Sequence, residues 1–349
     1  MNRIEEMIID RTQLEKLSEI TSDSSKNILL FVHYNPDGDA VGSATCLSRL
    51  LKKDGHSVEI IAPNNFPDFM KWMPDSEDII IFRDNVEKAT QVIAEAEIII
   101  LMDFNQTSRL EDIESYIVAN TTAKRVLIDH HLMPPPDFDV TFSFPECCST
   151  SYLLYEIIVA MGHLDLIDAQ MATSLYTGIM TDTGNFSFGN LTPELFKCVA
   201  TLIEKGINIP EINRQIYNTY SKDRIRLMGF CLNDKMVIKD KYNVAYISLT
   251  EREMRKYNFK QGDSEGFVNI PLSIAGMVMS ALFTETRNTI RISLRSRGDI
   301  DVNLFARKYF NGGGHKNAAG ARSTDSLLKT IDRFEKGLED FFGERESEK

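Results

Sequence analysis

ILLFVHYNPDGDAVGS, residues 28–43, joins an apolar run of five residues to a polar turn carrying one histidine and two aspartates. A run of that length and composition fits a strand buried on both faces. Pro36 and Gly38 then make a tight turn, and Gly42-Ser43 reads as the opening of the next helix, whose first amides favour an anion. The same grammar recurs outward from there. Short apolar runs lie at Val58–Ala62, Ile79–Phe82, Ile98–Met102 and Val126–Ile128, with helical patterns at Ala44–Lys53, closed by Gly55, and at Asn85–Glu95. Strands alternating with helices predict βαβ units, hence an α/β fold whose mostly parallel sheet carries helices on both faces. Further helices are expected after Ser149 up to Met161, over Ile167–Met180 and over Thr192–Lys205, where Thr-Pro suits a cap and first helical position.

The texture changes near Ile209. Residues 210–231 are polar, charged and helical, and read as a connection. β-like stretches follow at Val244–Leu249 and Thr289–Ser296, then a helix over Leu327–Phe342. We therefore expect a first domain over 1–208, a helical linker over 209–233, a smaller α/β domain over 234–343 and a charged tail over 344–349.

The chain of 349 residues has 39 Lys+Arg against 51 Asp+Glu, a formal charge of −12. A protein gripping long duplex nucleic acid on a broad face would be cationic, so that class is excluded. The acidity is uneven, because Thr286–Arg322 carries +6 and the remainder −18. Apolar runs of five residues fall far short of the roughly 20 needed to span a bilayer. Met1–Gln13 has no signal-like apolar region, and the five cysteines form no CxxC pair. A cytoplasmic protein with reduced thiols is the expectation.

The acids cluster where strands end. His33, Asp37 and Asp39 follow the first run, Asp103 follows Ile98–Met102, and Asp129-His130-His131 follows Val126–Ile128. Thr181-Asp182-Thr183-Gly184 closes the helix from Ile167. Ligands of open α/β sheets bind beyond the carboxyl ends of the strands. Taken singly, each of these residues is an ordinary turn or cap, but their joint placement points to metal. Carboxylate and imidazole donors suit Mn²⁺, Fe²⁺ or Zn²⁺. Two ions would relieve the crowding of the aspartates and clamp a phosphoryl group.

In the second domain, Gly312-Gly313-Gly314-His315 allows close backbone approach, and its amides could nest an anion. Arg287 precedes it, and alternation along 291, 293, 295 and 297 sets Arg291, Ser293, Arg295 and Arg297 on one strand face. Tyr34, Phe186 and Phe188 are candidates for base stacking, left outside the core site.

With these residues in view, the sequence resembles the DHH phosphoesterase superfamily, in the branch with a C-terminal DHHA1 domain and nearest the bacterial NrnA-like group of nanoRNases and pAp phosphatases. The motifs that carry it are HYNPDGDAVGS at 33–43, Asp103, DHH at 129–131, GIMTDTGNFSF at 178–188, RISLRSRGDIDVNLFA at 291–306 and GGGHKNAAG at 312–320. The resemblance implies two divalent ions, Mn²⁺ in most of the family. His33, Asp37 and Asp103 would hold one; Asp39, His130 and Asp182 the other, with Asp103 bridging. It implies catalytic roles for His131, Asp103 and Asp39, and a DHHA1 domain that grips a short substrate through Arg291, Ser293, Arg295, Gly312, Gly313, Gly314 and His315. The implied partners are short RNA oligonucleotides or small nucleotides such as pAp and pApA, with no membrane and with a homodimer compatible with the group. The implied reaction is release of 5′-mononucleotides from nanoRNA and dephosphorylation of 3′-phosphoadenosine 5′-phosphate. Cyclic di-AMP or pApA hydrolysis is the alternative within the same branch. Pyrophosphate or polyphosphate hydrolysis ranks behind these, the GGGH loop arguing against the pyrophosphatase branch.

Overall fold

The computed structural model describes residues 9–22, 25–107, 110 and 113–347. The chain divides into two compact units, Met1–Thr219 and Tyr220–Lys349.

The first unit runs α1 (Arg11–Ile20), β1 (Asn27–Phe31), α2 (Gly38–Lys53), β2 (Ser57–Ala62), β3 (Ile80–Ile81), α3 (Val86–Glu95), β4 (Ile98–Met102), α4 (Glu114–Ala119), β5 (Lys124–Asp129), β6 (Val140–Ser143), α5 (Thr150–Ala160), α6 (Ala169–Asp182), α7 (Pro193–Glu204) and α8 (Ile209–Tyr217). Its strands pair in parallel in the order β3-β2-β1-β4-β5-β6. Alternate residues of the apolar runs feed two cores. Ile28, Leu30, Ile98, Ile100, Val126 and Ile128 join the side chains of α2, α5 and α6. Leu29, Phe31, Ile99, Leu101 and Leu127 join those of α3 and α4. Both faces are buried, which is why the strands read as continuous apolar runs rather than as alternation. Strand order reverses direction between β1 and β4, so the crevice at their carboxyl ends is the switch point where open α/β sheets take ligands.

Gly42 corrects one expectation. The helix already begins at Gly38, capped by Asp37, and Gly42 lies inside it. A Cβ there would sit 2.4 Å from the Ser174 carbonyl oxygen, so this glycine lets α2 lie against α6 instead of presenting amides to an anion.

The second unit holds α9 (Lys222–Phe230), β7 (Met236–Lys239), β8 (Val244–Leu249), α10 (Glu251–Lys256), β9 (Met279–Thr286), β10 (Thr289–Ser296), α11 (Val302–Phe310), β11 (Gly313–His315), β12 (Ala318–Ser323) and α12 (Leu327–Ser347). Its sheet has the order β11-β12-β10-β9-β8-β7, with only β8 and β9 parallel. Phe283, Phe305, Phe334 and Leu338 centre the core under α11 and α12. The opposite face is covered at its β8–β9 side by Leu227, Met254 and Phe267. The polar stretch read as one connection is two helices, α8 and α9, one in each unit.

Candidate metal centre

His33 leaves β1 two residues past its end, and its Nδ1 lies 3.0 Å from the Tyr34 carbonyl oxygen. That contact directs Nε2 the other way, 3.8 Å from Asp37 Oδ2 and 3.6 Å from Asp103 Oδ2. The turn between them is pinned by paired amides: Asn35 N donates to Asn64 Oδ1 at 2.7 Å, and Asn64 Nδ2 donates back to Asn35 Oδ1 at 2.9 Å. Asp37 caps α2, its Oδ1 accepting the amides of Asp39 and Ala40 at 3.1 Å each. The turn and cap chemistry is real, and it orients Asp37 while Oδ2 faces the histidine.

Asp39 is 1% exposed. Its carboxylate lies across the start of α5, accepting Thr150 N at 2.6 Å and Ser151 N at 2.8 Å. The helix N-terminus that stabilises an anion here is therefore that of α5, where unsatisfied amides and the helix dipole act together. Asp103 follows β4 with φ 64°, a left-handed conformation uncommon outside glycine. Its amide still donates to Ile128 O at 3.0 Å, continuing the pairing with β5. Thr150 Oγ1 donates to Asp103 Oδ1 at 2.9 Å.

His130 follows β5 directly. Its Nδ1 lies 3.1 Å from Cys147 O, and its Nε2 stands 3.5 Å from Asp103 Oδ1, 3.4 Å from Asp182 Oδ2 and 4.0 Å from Asp39 Oδ2. His131 is held by Asp129, which takes the imidazole Nδ1 at 2.7 Å and the His131 amide at 3.0 Å. Beside a group of Asp103, Asp129 and His131, two donor groups share Asp103, namely His33–Asp37–Asp103 and Asp39–Asp103–His130, each with ligand atoms within 4.8 Å of one another. Asp103 belongs to both. Each backbone carbonyl behind a histidine fixes which nitrogen looks inward, the usual way a protein orients imidazole ligands.

The electrostatics fit a divalent ion. Burial raises Asp39 well above the carboxylate range, and the charges of Asp103 and Asp182 raise it further. Burial also works against ionised Asp103, but His33, His131 and His130 outweigh it and hold that carboxyl low. Burial disfavours charged His130, yet Asp182, Asp103 and Asp39 lift it to about 9. Asp37, Asp39 and Asp103 pair with histidines and with no lysine or arginine among the described residues. Buried carboxylates in that position need cations.

Thr150 and Ser151 were not foreseen as parts of the site, and Gly178 entered only as the first residue of the 178–188 motif. A Cβ at Gly178 would lie 2.8 Å from Asp39 Oδ1 and 2.0 Å from Ser151 Oγ. The one local signal was Ser149, which was read as a cap and does cap α5.

In the second unit, Arg291 is exposed while Ser293 and Arg295 are half-buried on one face of β10, as alternation predicts. Arg297 lies beyond the strand. Arg291 stands directly across from Arg322 of β12. The anion nest expected of Gly312–Gly314 is corrected. The Gly312 amide donates to Ala306 O at 3.0 Å and the Gly314 amide to Asn303 Oδ1 at 3.1 Å, so both are engaged inside the unit. The glycines are needed for close pairing instead, since a Cβ at Gly312 would lie 2.3 Å from Gly320 O. His315 ends β11, half-buried.

A doubly wound sheet with paired carboxylate–histidine groups at its switch point is suited to metal-assisted phosphoester hydrolysis. Residues 27–179 match the DHH family, N-terminal domain, and residues 239–344 match the DHHA1 domain. The chain belongs to the DHH family of phosphoesterases and carries a DHHA1 domain behind the DHH domain. It is 28% identical over 313 residues to the bifunctional oligoribonuclease and PAP phosphatase NrnA of Thermus thermophilus, covering 88% of each chain. It is 26% identical to the cyclic-di-AMP phosphodiesterase GdpP of Bacillus subtilis over 93% of this chain and 49% of that protein. A crystal structure of an exopolyphosphatase-related protein from Bacteroides fragilis superposes with a TM-score of 0.90 at 39% identity, covering 96% of this chain and 98% of that one. No helix among the described residues is long and apolar enough to cross a membrane.

Proposed function

We propose that the protein is a Mn²⁺-dependent phosphoesterase that releases 5′-mononucleotides from short oligoribonucleotides and removes a phosphate from 3′-phosphoadenosine 5′-phosphate. The observation that carries the reading is the pair of donor groups sharing Asp103 at the β1–β4 switch point. His33, Asp37 and Asp103 would hold one ion, and Asp39, His130, Asp182 and Asp103 the other. Bound there, the ions supply an activated water and neutralise phosphoryl charge. The chain's own residues do the positioning. The α5 amides fix Asp39, Thr150 fixes the plane of Asp103, and Asp129 orients His131 through Nδ1, with Nε2 the nitrogen that would meet a phosphoryl oxygen. In the second unit Arg291, Ser293, Arg295 and His315 would be the substrate contacts, with Gly312–Gly314 shaping the strand that carries His315. Arg291 and Arg322 stand directly opposite one another on adjacent strands, so this face carries two cations at one register position. Cyclic di-AMP or pApA is the second reading, favoured by the similarity to GdpP. The test offers purified protein and Mn²⁺ a parallel set of pAp, pApA, cyclic di-AMP, RNA of about 2 to 24 residues, pyrophosphate and polyphosphate. The reading expects fastest turnover on pAp and the shortest RNA. Fastest turnover on pyrophosphate or polyphosphate would overturn it.

A further inference from the structure

Among the described non-glycine residues with left-handed backbone, only Met133 (φ 63°) and Phe186 (φ 59°) carry large apolar side chains. Such conformations persist only where the surroundings over-determine them, and they gather at functional sites. Both lie just past the cluster, Met133 two residues after His131 and Phe186 four after Asp182.

The second of these loops is tightly specified. Gly184, Asn185 and Phe186 are consecutive left-handed residues with φ of 54°, 55° and 59°. Thr183, fully buried, anchors them: its carbonyl accepts the amides of Ser187 at 2.9 Å and Phe188 at 3.1 Å, and its hydroxyl accepts the Phe186 amide at 3.1 Å. The two aromatic rings then part company. Phe186 packs against Tyr176 and Phe196, with centroids 6.1 and 5.7 Å away. Phe188 folds back onto Gly184, where a Cβ would lie 2.1 Å from its Cε1, and it remains 46% exposed. After the DHH motif, Leu132 and Met133 are likewise 44% and 65% exposed, ahead of Pro134-Pro135-Pro136. The Leu132 carbonyl is tied down by Asn105 Nδ2 at 3.0 Å.

An exposed ring held in one place by a stiff loop loses little freedom when a flat apolar partner lies on it. Bases stack on such rings whatever their sequence. We propose that Phe188, with Leu132 and Met133 as apolar neighbours of the cluster, takes the nucleobase of the nucleotide whose phosphate is cut, selecting nucleoside-bearing phosphoesters over bare phosphate chains. The inference rests on the phosphoesterase reading above and gives that site its specificity.

The test compares pApA with its abasic analogue, the same phosphates and sugars without bases, in wild type and in Phe188→Ala, Phe188→Leu, Phe188→Tyr and Met133→Ala. Phe188→Leu preserves packing on Gly184 while removing the ring face, so it decides the matter if Phe188→Ala fails to fold. For pApA, KM should rise about 10-fold in Phe188→Leu with kcat nearly unchanged. Phe188→Tyr should restore it, and Met133→Ala should show a smaller rise. Kinetics on the abasic analogue should not move. An unchanged KM for pApA in Phe188→Leu, or an equal loss on both substrates, overturns the inference. Wild-type protein inert on both substrates would instead refute the phosphoesterase reading on which it rests.

Discussion

Gly178→Ala should destabilise the first unit, although alanine is the better helix former. The new Cβ would lie 2.0 Å from Ser151 Oγ, 2.8 Å from Ser151 Cβ and 2.8 Å from Asp39 Oδ1. Non-bonded carbons rest at about 3.5–4.0 Å, so α5 and the carboxylate must retreat from α6 by the better part of an ångström. Helix propensity returns about 1 kcal/mol. Overpacking a closed core costs about 1–3 kcal/mol. Displacing Asp39 also weakens two amide bonds to a charged group, each worth about 1.5–3 kcal/mol. The packing and hydrogen-bond losses win, with a net loss of about 2 kcal/mol or more. At about 2–4 °C per kcal/mol for a unit of this size, Tm falls by about 4–8 °C. Scanning calorimetry of the metal-free protein reads this directly. Calorimetric titration with Mn²⁺ should show affinity weakened by about 10–100-fold, since Asp39 is no longer held in register. Ser151→Ala removes the nearest atom, whose own contact with Asp39 O is a long 3.4 Å. In that background Gly178→Ala should lose less, a coupling expected only between residues in contact. A Gly178→Ala protein as stable as wild type, binding Mn²⁺ equally well, would refute this account of how α2, α5 and α6 build the site.

The contrasting substitution is Gly229→Ala in α9, where a Cβ meets nothing within 4 Å; it should raise the unfolding free energy of the second unit, read by denaturant titration, by up to about 1 kcal/mol. Asp129→Asn leaves His131 without its carboxylate partner, so kcat should fall about 10–100-fold with KM little changed in steady-state assays. Burial raises Glu156 above the usual range, against a hydrogen bond from Tyr152 and with help from Glu194. An acid raised in the folded state contributes stability below its unfolded value, near pH 4.3, and loses it as pH rises through the folded value. Glu156→Gln should therefore raise the urea midpoint more at pH 7 than at pH 4, and an equal gain at both would contradict the assignment. Arg291→Ala and Arg295→Ala should raise KM for pApA and flatten its salt dependence, measured from about 50 to 300 mM salt.

Most of the first unit was legible because its strands are buried on both faces and so read as uninterrupted apolar runs. β6, four residues of VTFS with two half-buried, lacks that signature. In the second unit β12 reads AAGARS, with too little bulk to mark a strand, and it lies between β10 and β11 with Ala321 and Ala319 opposite Ile292 and Leu294. The glycine triplet read as an anion nest, but the Gly312 and Gly314 amides are engaged inside the unit and the glycines allow close strand pairing. The acids and histidines were legible because all but Asp182, which closes α6, sit at the end of a strand or just past it. Their supports were not, because Thr150 and Ser151 lie more than a hundred residues from Asp39 and meet it only once α5 packs beside α2. Gly42 marks the same limit, since a glycine beside a helix start says that something comes close without saying what.

Asp103 is the residue on which both donor groups depend, and Asp103→Asn with Mn²⁺ stoichiometry and pApA hydrolysis measured on the same samples is the most direct test. The account predicts two Mn²⁺ per chain and turnover in wild type, and fewer ions with turnover lost in the variant, while the fold remains. A variant that still binds two ions and hydrolyses pApA at the wild-type rate would contradict it.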